Sequence, residues 1–423
     1  MQPILKPAPV SLHVAAGLVH CRRTAAVARL IAHHLFLLPE EKDLLDAACF
    51  LHHGSIGVGA PKRLERLLAD IFPTDEPALL ARAPISVGTR GVLNAYAVPG
   101  SGAALELRLG GILRLADAFD QNMEAQPIDG EEVGEILERL RGGVEAGLWP
   151  EEAIDALVQS TLPPPIVGQP GSWRVPVFPE AAVRTLHLMR DPRAGIADVV
   201  KAASLDPALA GLVMRLANSA LFGQRAPVST LSKAIGRLGF ATSQKVIISA
   251  ALRAVFDPPK LRQVWRHSLE VADLSEQLAG RAGAVDPAEA YLVGLLHDVG
   301  QIALLSMVLY DSARLEGLVR AGCSPVYAED LLLRTNHAAL GARIATAWKL
   351  PESMVGAIRQ HHRPEKEGSA LACLLYLAEQ LSGSDEDLPS IVRLDVSLKG
   401  VGLVWGDIAN CTISALGNWL AAA

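Results

Sequence analysis

The chain has 423 residues and a formal net charge of −6; 50% of its residues are hydrophobic and only 4% aromatic. That length accommodates about two or three domains, and the balance suits Ala/Leu/Val-rich helices better than strands. The acidic surplus gives no electrostatic case for nucleic acid, so no DNA partner is expected.

Residues 12–35 carry helical periodicity, with Leu18, Val27, Leu30 and Ile31 available for one face. Pro39-Glu40-Glu41 opens a second helix that runs to His52-His53-Gly54, and His20 precedes His52 by 32 residues. A third apolar helix at 109–121 carries Asp117. Residues 129–142, with Asp129 as N-cap and Glu132 three positions on, and residues 150–160 predict two more. The prolines of 162–176 forbid helix, and this stretch is taken as an interdomain linker. Short helices follow at 180–189, 196–203, 207–219, 231–238 and 243–255, then longer ones at 261–282, at 287–299 and on to 381. No defensible strand alternation occurs, so the expected fold class is all-α.

The segments 196–203 and 207–219 have a helix-turn-helix outline. The second offers Arg215 as its only basic residue among Leu209, Leu212, Val213 and Leu216. Packing is therefore expected there rather than base reading, with Asn218 as a buried hydrogen-bonding residue at the helix end.

Mean hydropathy is positive, +0.27, but the most apolar stretch, 293–309, is interrupted by His297, Asp298 and Gln301. No clean run of about 20 apolar residues is present, so no membrane span is expected, and no signal-cleavage site is evident. The five cysteines lack Cys-x-x-Cys spacing, which points to neither a disulfide framework nor a thiolate zinc site and makes a reducing, cytoplasmic setting the expectation. His297 and Asp298 end an apolar segment just before Gly300, and two such groups are costly to desolvate without a partner. A metal ion would serve both. A helix end with a locally hydrogen-bonded His297 is the plainer alternative. The pair His33-His34 points two ways on one helix and is expected at a solvated edge.

Residues 177 to about 382 resemble the HDOD domain, the HD-related output domain of bacterial signalling proteins. The matching pieces, in order, are Phe178-Pro179-Glu180-Ala181, Asp206-Pro207-Ala208-Leu209, Leu216-Ala217-Asn218-Ser219-Ala220 and Ala234-Ile235-Gly236-Arg237-Leu238-Gly239. The HD-like core follows as Trp265-Arg266-His267-Ser268, Gly294 to Gly300, His337-Ala338-Ala339-Leu340-Gly341 and Gln360-His361-His362. The first 160 residues are similar to a degenerate HD/HD-GYP-type phosphohydrolase domain, through His20-Cys21-Arg22-Arg23, Leu51-His52-His53-Gly54 with Ile56-Gly57-Val58, and Leu115 to Asp120. There His53 replaces the Asp of the doublet and the lysine that normally follows it is missing, with Ala95 to Gly100 as a remnant of the Gly-Tyr-Pro region.

The resemblance implies two HD-superfamily-like helical bundles in tandem. The expected division is 1–161, a linker 162–176, the HDOD stretch 177–385 (an N-terminal helical part 177–257 and an HD-like bundle 258–385) and a helical tail 386–423. It also implies a ligand set of His267, His297, Asp298, His337, His361 and Glu379, joined by His362, for Fe, Mn, Zn or Mg. Five of the six histidines beyond the linker fall in this set. A residual N-terminal site would use His20, His52, His53 and Asp117, against a plainer reading as satisfied polar groups in a packed bundle. Gln301 stands where the hydrolase pattern has a phosphate-facing lysine. The expectation is therefore a non-catalytic signalling output or scaffold protein that binds a protein partner or a cyclic dinucleotide. The alternative is a metal-dependent phosphohydrolase or phosphodiesterase working at the C-terminal site.

Overall fold

Helix is the only regular secondary structure among the described residues. The computed structural model describes residues 12–55, 86–125, 133–161, 176–191, 193–204, 206–222, 226–256, 261–306, 312–320, 323–333, 335–365, 369–383, 391–408 and 411–422. Of the expected linker 162–176 only Pro176 is described; the rest of it, the cap at Asp129 with Glu132, and Ile56-Gly57-Val58 lie outside the described residues.

The first helices are α1 (Leu12–His34), α2 (Pro39–Ser55), α3 (Val87–Ala97), α4 (Ala104–Ala125), α5 (Val133–Glu145) and α6 (Glu151–Thr161). After them come α7 (Glu180–Arg190), α8 (Ile196–Ala203), α9 (Pro207–Ala217), α10 (Leu231–Leu238) and α11 (Phe240–Arg253). The middle of the chain forms α12 (Arg262–Ala282), α13 (Pro287–Leu296), α14 (Gly300–Ser306), α15 (Ser312–Arg320) and α16 (Pro325–Leu333). Then follow α17 (His337–Ala347), α18 (Glu352–Gln360), α19 (Ala370–Ser382), α20 (Ile391–Val401), α21 (Trp405–Ile408) and α22 (Ala415–Ala422). None of these is long and apolar enough to cross a membrane.

Local chemistry sets several of the boundaries. Asp206 accepts from the Ala208 amide and Asp286 from those of Ala288 and Glu289, each with proline at the first helical turn, so the two helices start at 207 and 287, where the sequence reading begins them. α13 is apolar all round and seven of its ten residues are buried, the pattern of a core helix. Asn218 departs from expectation. It is exposed, and it exchanges hydrogen bonds with the backbone of Val228 at 2.8 and 3.0 Å, tying the end of α9 to the next segment. Leu209, Val213, Leu216 and Ala217 of α9 are buried, as packing requires.

By its internal contacts the chain divides into two units. The first comprises Met1–Gly168, Asp311–Asn336 and Asp385–Val392; the second comprises Gln169–Tyr310, His337–Ser384 and Arg393–Ala423. α15 and α16 therefore pack with α1–α6, although the sequence alone leaves them inside the 177–385 stretch. Arg314 Nη2 donates to the Ser160 carbonyl at 2.9 Å, and the Arg23 guanidinium lies 5.4 Å from the centre of the Tyr327 ring. Their apolar faces must be covered, but periodicity does not say by what.

In the second unit the tail folds back onto α12. Asp273, 5% exposed, accepts from the Ser414 amide and hydroxyl, both at 2.6 Å, and from Gln277 Nε2 at 3.0 Å. Gln277 also donates to the Thr412 carbonyl at 2.9 Å, and Arg281 to that of Asp407. Positions 273, 277 and 281 share one helix face, so α12 offers the tail a polar ladder. A hydrogen bond to a buried charge is worth about 1.5–3 kcal/mol. Ser414→Ala should therefore lower the urea-unfolding free energy by roughly that amount without changing the slope; a loss below about 0.5 kcal/mol would show that the ladder does not hold the tail.

Candidate metal centre

Five helices of the second unit bring six of the sequence-predicted residues to one place. His267 lies in the second turn of α12, and Glu379 near the end of α19. His337 is the first residue of α17, and His361 follows the last residue of α18. The sequence reads one helix over 287–299; the structure ends α13 at Leu296, and His297 and Asp298 occupy the turn before α14. The reason lies at Gly300. A Cβ there would overlap the His337 carbonyl oxygen and stand 2.6 Å from the Gly341 amide nitrogen. At Gly294 a Cβ would stand 2.7 Å from Ala272 Cα, so the doublet is delivered between two backbone-to-backbone approaches.

The donor atoms face one another. Asp298 reaches His337 Nε2 at 3.3 Å, His297 Nε2 at 3.5 Å and His361 Nε2 at 4.0 Å. Glu379 reaches His267 Nε2 at 3.0 Å, His297 Nε2 at 3.6 Å and His361 Nε2 at 3.9 Å. His362 adds a hydrogen bond to His337, Nε2 to Nε2, at 2.9 Å. His297 donates from Nδ1 to the Gly294 carbonyl at 2.7 Å and His361 from Nδ1 to that of Ile358 at 2.6 Å. Both rings are fully buried, and the Nε2 of each has no hydrogen-bond partner. In the neutral ring that atom is a lone pair. A buried polar atom without a partner calls for one, and an ion or a water can supply it. Histidines whose second nitrogen is committed to a carbonyl are how proteins orient metal ligands. This donor set fits a divalent cation.

Electrostatics agree. Burial disfavours charge on His297, but Asp298 and Glu379 outweigh it and raise the imidazole to about 9. Burial lowers His361 to about 4, against the pull of Glu379. Burial, with the neighbouring His361, also holds His362 well below its ordinary value. Burial works against ionisation of Asp298 and Glu379; it is overcome chiefly by His297, and both carboxyls stay low. Without metal, then, the His297 proton offsets two carboxylates. A metal would displace it.

The first unit holds a second constellation. His20 on α1 reaches Asp117 Oδ1 at 2.9 Å and Asp120 Oδ2 at 2.6 Å, both on α4, and its Nε2 lies 3.2 Å from that of His52 on α2. Asp117 also accepts from Tyr96 Oη at 2.7 Å, and Arg23 clasps Asp120 at 2.8 and 3.0 Å. Burial opposes charge on His20, yet its bonds to Asp117 and Asp120 raise it to about 9. Burial and the bond to Asp117 push the Tyr96 hydroxyl up. The structure thus gathers His20, His52 and Asp117; of the predicted His53 only the backbone on α2 is described. Tyr96, Asp120 and Arg23 went unselected by sequence reasoning, although Asp120 and Arg23 stand three positions from Asp117 and His20 and so share their helix faces. Here the imidazolium of His20 supplies the cation. His33 and His34 are exposed, as expected.

The α-helical bundle and its His/carboxylate cluster define an HD-related helical domain. Residues 175–364 match the HDOD domain family model, and this part of the chain is an HDOD domain. A protein of Treponema pallidum called uncharacterized is 27% identical over 192 residues, spanning 44% of this chain and 37% of its own length. Ribonuclease Y of Syntrophotalea carbinolica is 27% identical over 184 residues, 42% of this chain and 27% of its own. An HDOD domain protein with unknown function from Geobacter sulfurreducens, known from its crystal structure, is 25% identical with a TM-score of 0.48, covering 56% of this chain and 87% of that one. The chain spans well under half the length of these two sequence relatives.

Two outcomes follow from this geometry. Gly300→Ala should abolish metal retention and lower the melting temperature, because backbone of α17 must move; a variant that melts and binds like wild type would refute the close approach. In chelator-treated protein, His297, raised to about 9, contributes stability that is complete below its unfolded value near 6.5 and lost as pH rises through about 9. His361, lowered to about 4, contributes stability that is complete above about 6.5 and lost as pH falls toward 4. Urea titrations across pH 4–9.5 should show a stability maximum near neutrality, and His297→Ala should flatten its alkaline side. An alkaline limb identical in that variant would contradict the assignment.

Proposed function

We propose that this chain is a signalling output or scaffold protein whose HDOD domain holds a divalent metal as a structural centre and acts through a protein partner rather than by turnover. The observation that carries this reading is the pair of buried, partnerless Nε2 atoms, on His297 and His361, within a set of six donors. Structural metal sites are closed by protein ligands, whereas catalytic ones keep a position for water or substrate. The donors form overlapping triads, His267/His297/Glu379, His297/Asp298/His361 and His337/His361/His362, so protein ligands can fill most of a tetrahedral sphere. His267, His297, Asp298, His337, His361 and Glu379 would hold the ion, with His362 supporting His337. An imidazole majority favours Fe or Zn over Mg. Gln301, a neutral amide, offers no charge to clamp a phosphate.

A second reading is metal-dependent phosphodiester hydrolysis. The side chains of Asp298 and His267 keep 13% and 20% exposure, a route by which water could reach the ion, and the relatives called ribonuclease Y belong with it. A bound metal would supply Lewis acidity and an activated water there.

Elemental analysis of the purified full chain should find about one or two Fe, Mn or Zn per molecule, none of it retained by the His297→Ala, Asp298→Ala double variant. No release of product from phosphodiester substrates is expected. Metal-free wild type whose stability matches the double variant would overturn the metal centre, and metal-dependent turnover lost with Asp298 would replace the scaffold reading with the hydrolase.

A further inference from the structure

The second unit contains a cavity of about 350 Å3 where the starts of α13 and α18 meet the second half of α7. No donor of the histidine cluster lines it. Leu186, Leu292, Met354 and Pro351 give it an apolar lining, and the first three are buried. Two carboxylates share the cavity, those of Asp286, which is exposed, and Glu289, which is half-buried. Its volume stands at the low end of the range for ligand sites, about 300–1,000 Å3.

Helix capping accounts for only part of these two acids. Asp286 Oδ1 accepts from the amides of Ala288 and Glu289 at 2.8 and 3.0 Å, and Glu289 Oε1 accepts from Ser353 Oγ at 2.9 Å. The second oxygen of each carboxylate carries no such bond, and among the described residues neither acid is in an ion pair. Standing three positions apart, the two share a helix face, where like charges repel. A cation between them relieves that repulsion, and the apolar lining beside them takes an aliphatic stem. Arginine has that form. Its methylene chain ends in a planar fork of five N–H donors, less strongly hydrated than an ammonium and able to bond two carboxylates at once.

We propose that this cavity is a docking socket for an arginine side chain of a partner protein. The stem lies against Leu186, Leu292 and Met354, and the guanidinium meets Asp286 and Glu289. A side chain delivered by a larger partner suits a cavity whose charged edge is exposed at Asp286, and arginine is among the residues that most often anchor an interface. The partner's class rests on the partner-binding reading above; the socket itself depends on neither the metal nor the cluster.

The test uses the full chain with isotope-labelled methionine and leucine methyl groups, and follows their NMR shifts on titration with Nα-acetyl-arginine amide. The Met354 and Leu186 signals should move, with a Kd on the order of 1 mM. The capped form of citrulline, an uncharged isostere, should bind at least about 10-fold more weakly. Capped arginine should lose the same factor on an Asp286→Asn, Glu289→Gln variant. That variant keeps its fold, because asparagine caps a helix as well as aspartate does and glutamine still accepts from Ser353. Free arginine should bind no more tightly than the capped form. Unmoved Met354 and Leu186 signals, equal affinity for citrulline, or a variant that binds like wild type would refute the socket and leave partner binding to other surfaces. Free arginine bound more tightly than the capped form would make the cavity a small-molecule site and overturn the partner assignment.

Discussion

Placing two carboxylates and several imidazoles inside a helical core carries a desolvation cost of several kcal/mol per uncompensated charge. The second unit concentrates that cost at one point, where Asp298 and Glu379 face His267, His297, His337 and His361. The helices around it are arranged to make the point reachable. α13 stops at Leu296, α14 starts on a glycine that admits the backbone of α17, and α18 stops just before His361. Metal sites of helix bundles are built from side chains on facing helices, and here His267 and Glu379 lie within helices while His297, Asp298, His337 and His361 stand at helix ends. Bundle geometry and site geometry are one constraint.

The two units solve the same electrostatic problem in different ways. His52, His297 and His361 each donate from Nδ1 to the carbonyl three residues back, Cys49, Gly294 and Ile358 respectively. That shared local rule turns Nε2 inward each time. In the first unit the inward Nε2 of His52 meets His20, whose Nε2 and Nδ1 face Asp117 and Asp120 respectively, with Arg23 also bonded to Asp120. In the second, two Nε2 atoms are left with no hydrogen bond. In the first the His20 ring nitrogens bond both carboxylates at 2.9 and 2.6 Å; in the second His297 Nε2 stands 3.5 and 3.6 Å from Asp298 and Glu379.

Much of this was legible in the sequence because it rests on local rules. The helix starts at 207 and 287 lie where the apolar segments begin, and the core character of α13 follows from its composition. The ligand set came from motif order, since spacing alone does not place His267 and Glu379, 112 positions apart, within 3.0 Å. What could not be read depends on partners remote in sequence. The end of α13 depends on Gly300 meeting His337 across 37 positions. The affiliation of α15 and α16 depends on which unit covers an apolar face. α3 was passed over because residues 95–100 read as a remnant of another motif, and with it went Tyr96, whose bond to Asp117 spans 21 positions. Asn218 failed differently: its amide holds the backbone of Val228 from an exposed position, and a side chain that binds backbone leaves no periodic trace.

X-ray absorption at the metal edge of the purified protein decides whether the cluster's imidazoles and carboxylates hold a metal. The expected spectrum has a first shell of nitrogen and oxygen only, at about 2.0–2.2 Å, with the outer-shell scattering of several imidazoles. A sulfur shell at about 2.3 Å, or a metal signal lacking imidazole scattering and unchanged by His361→Ala, would place the metal elsewhere and leave the cluster without one.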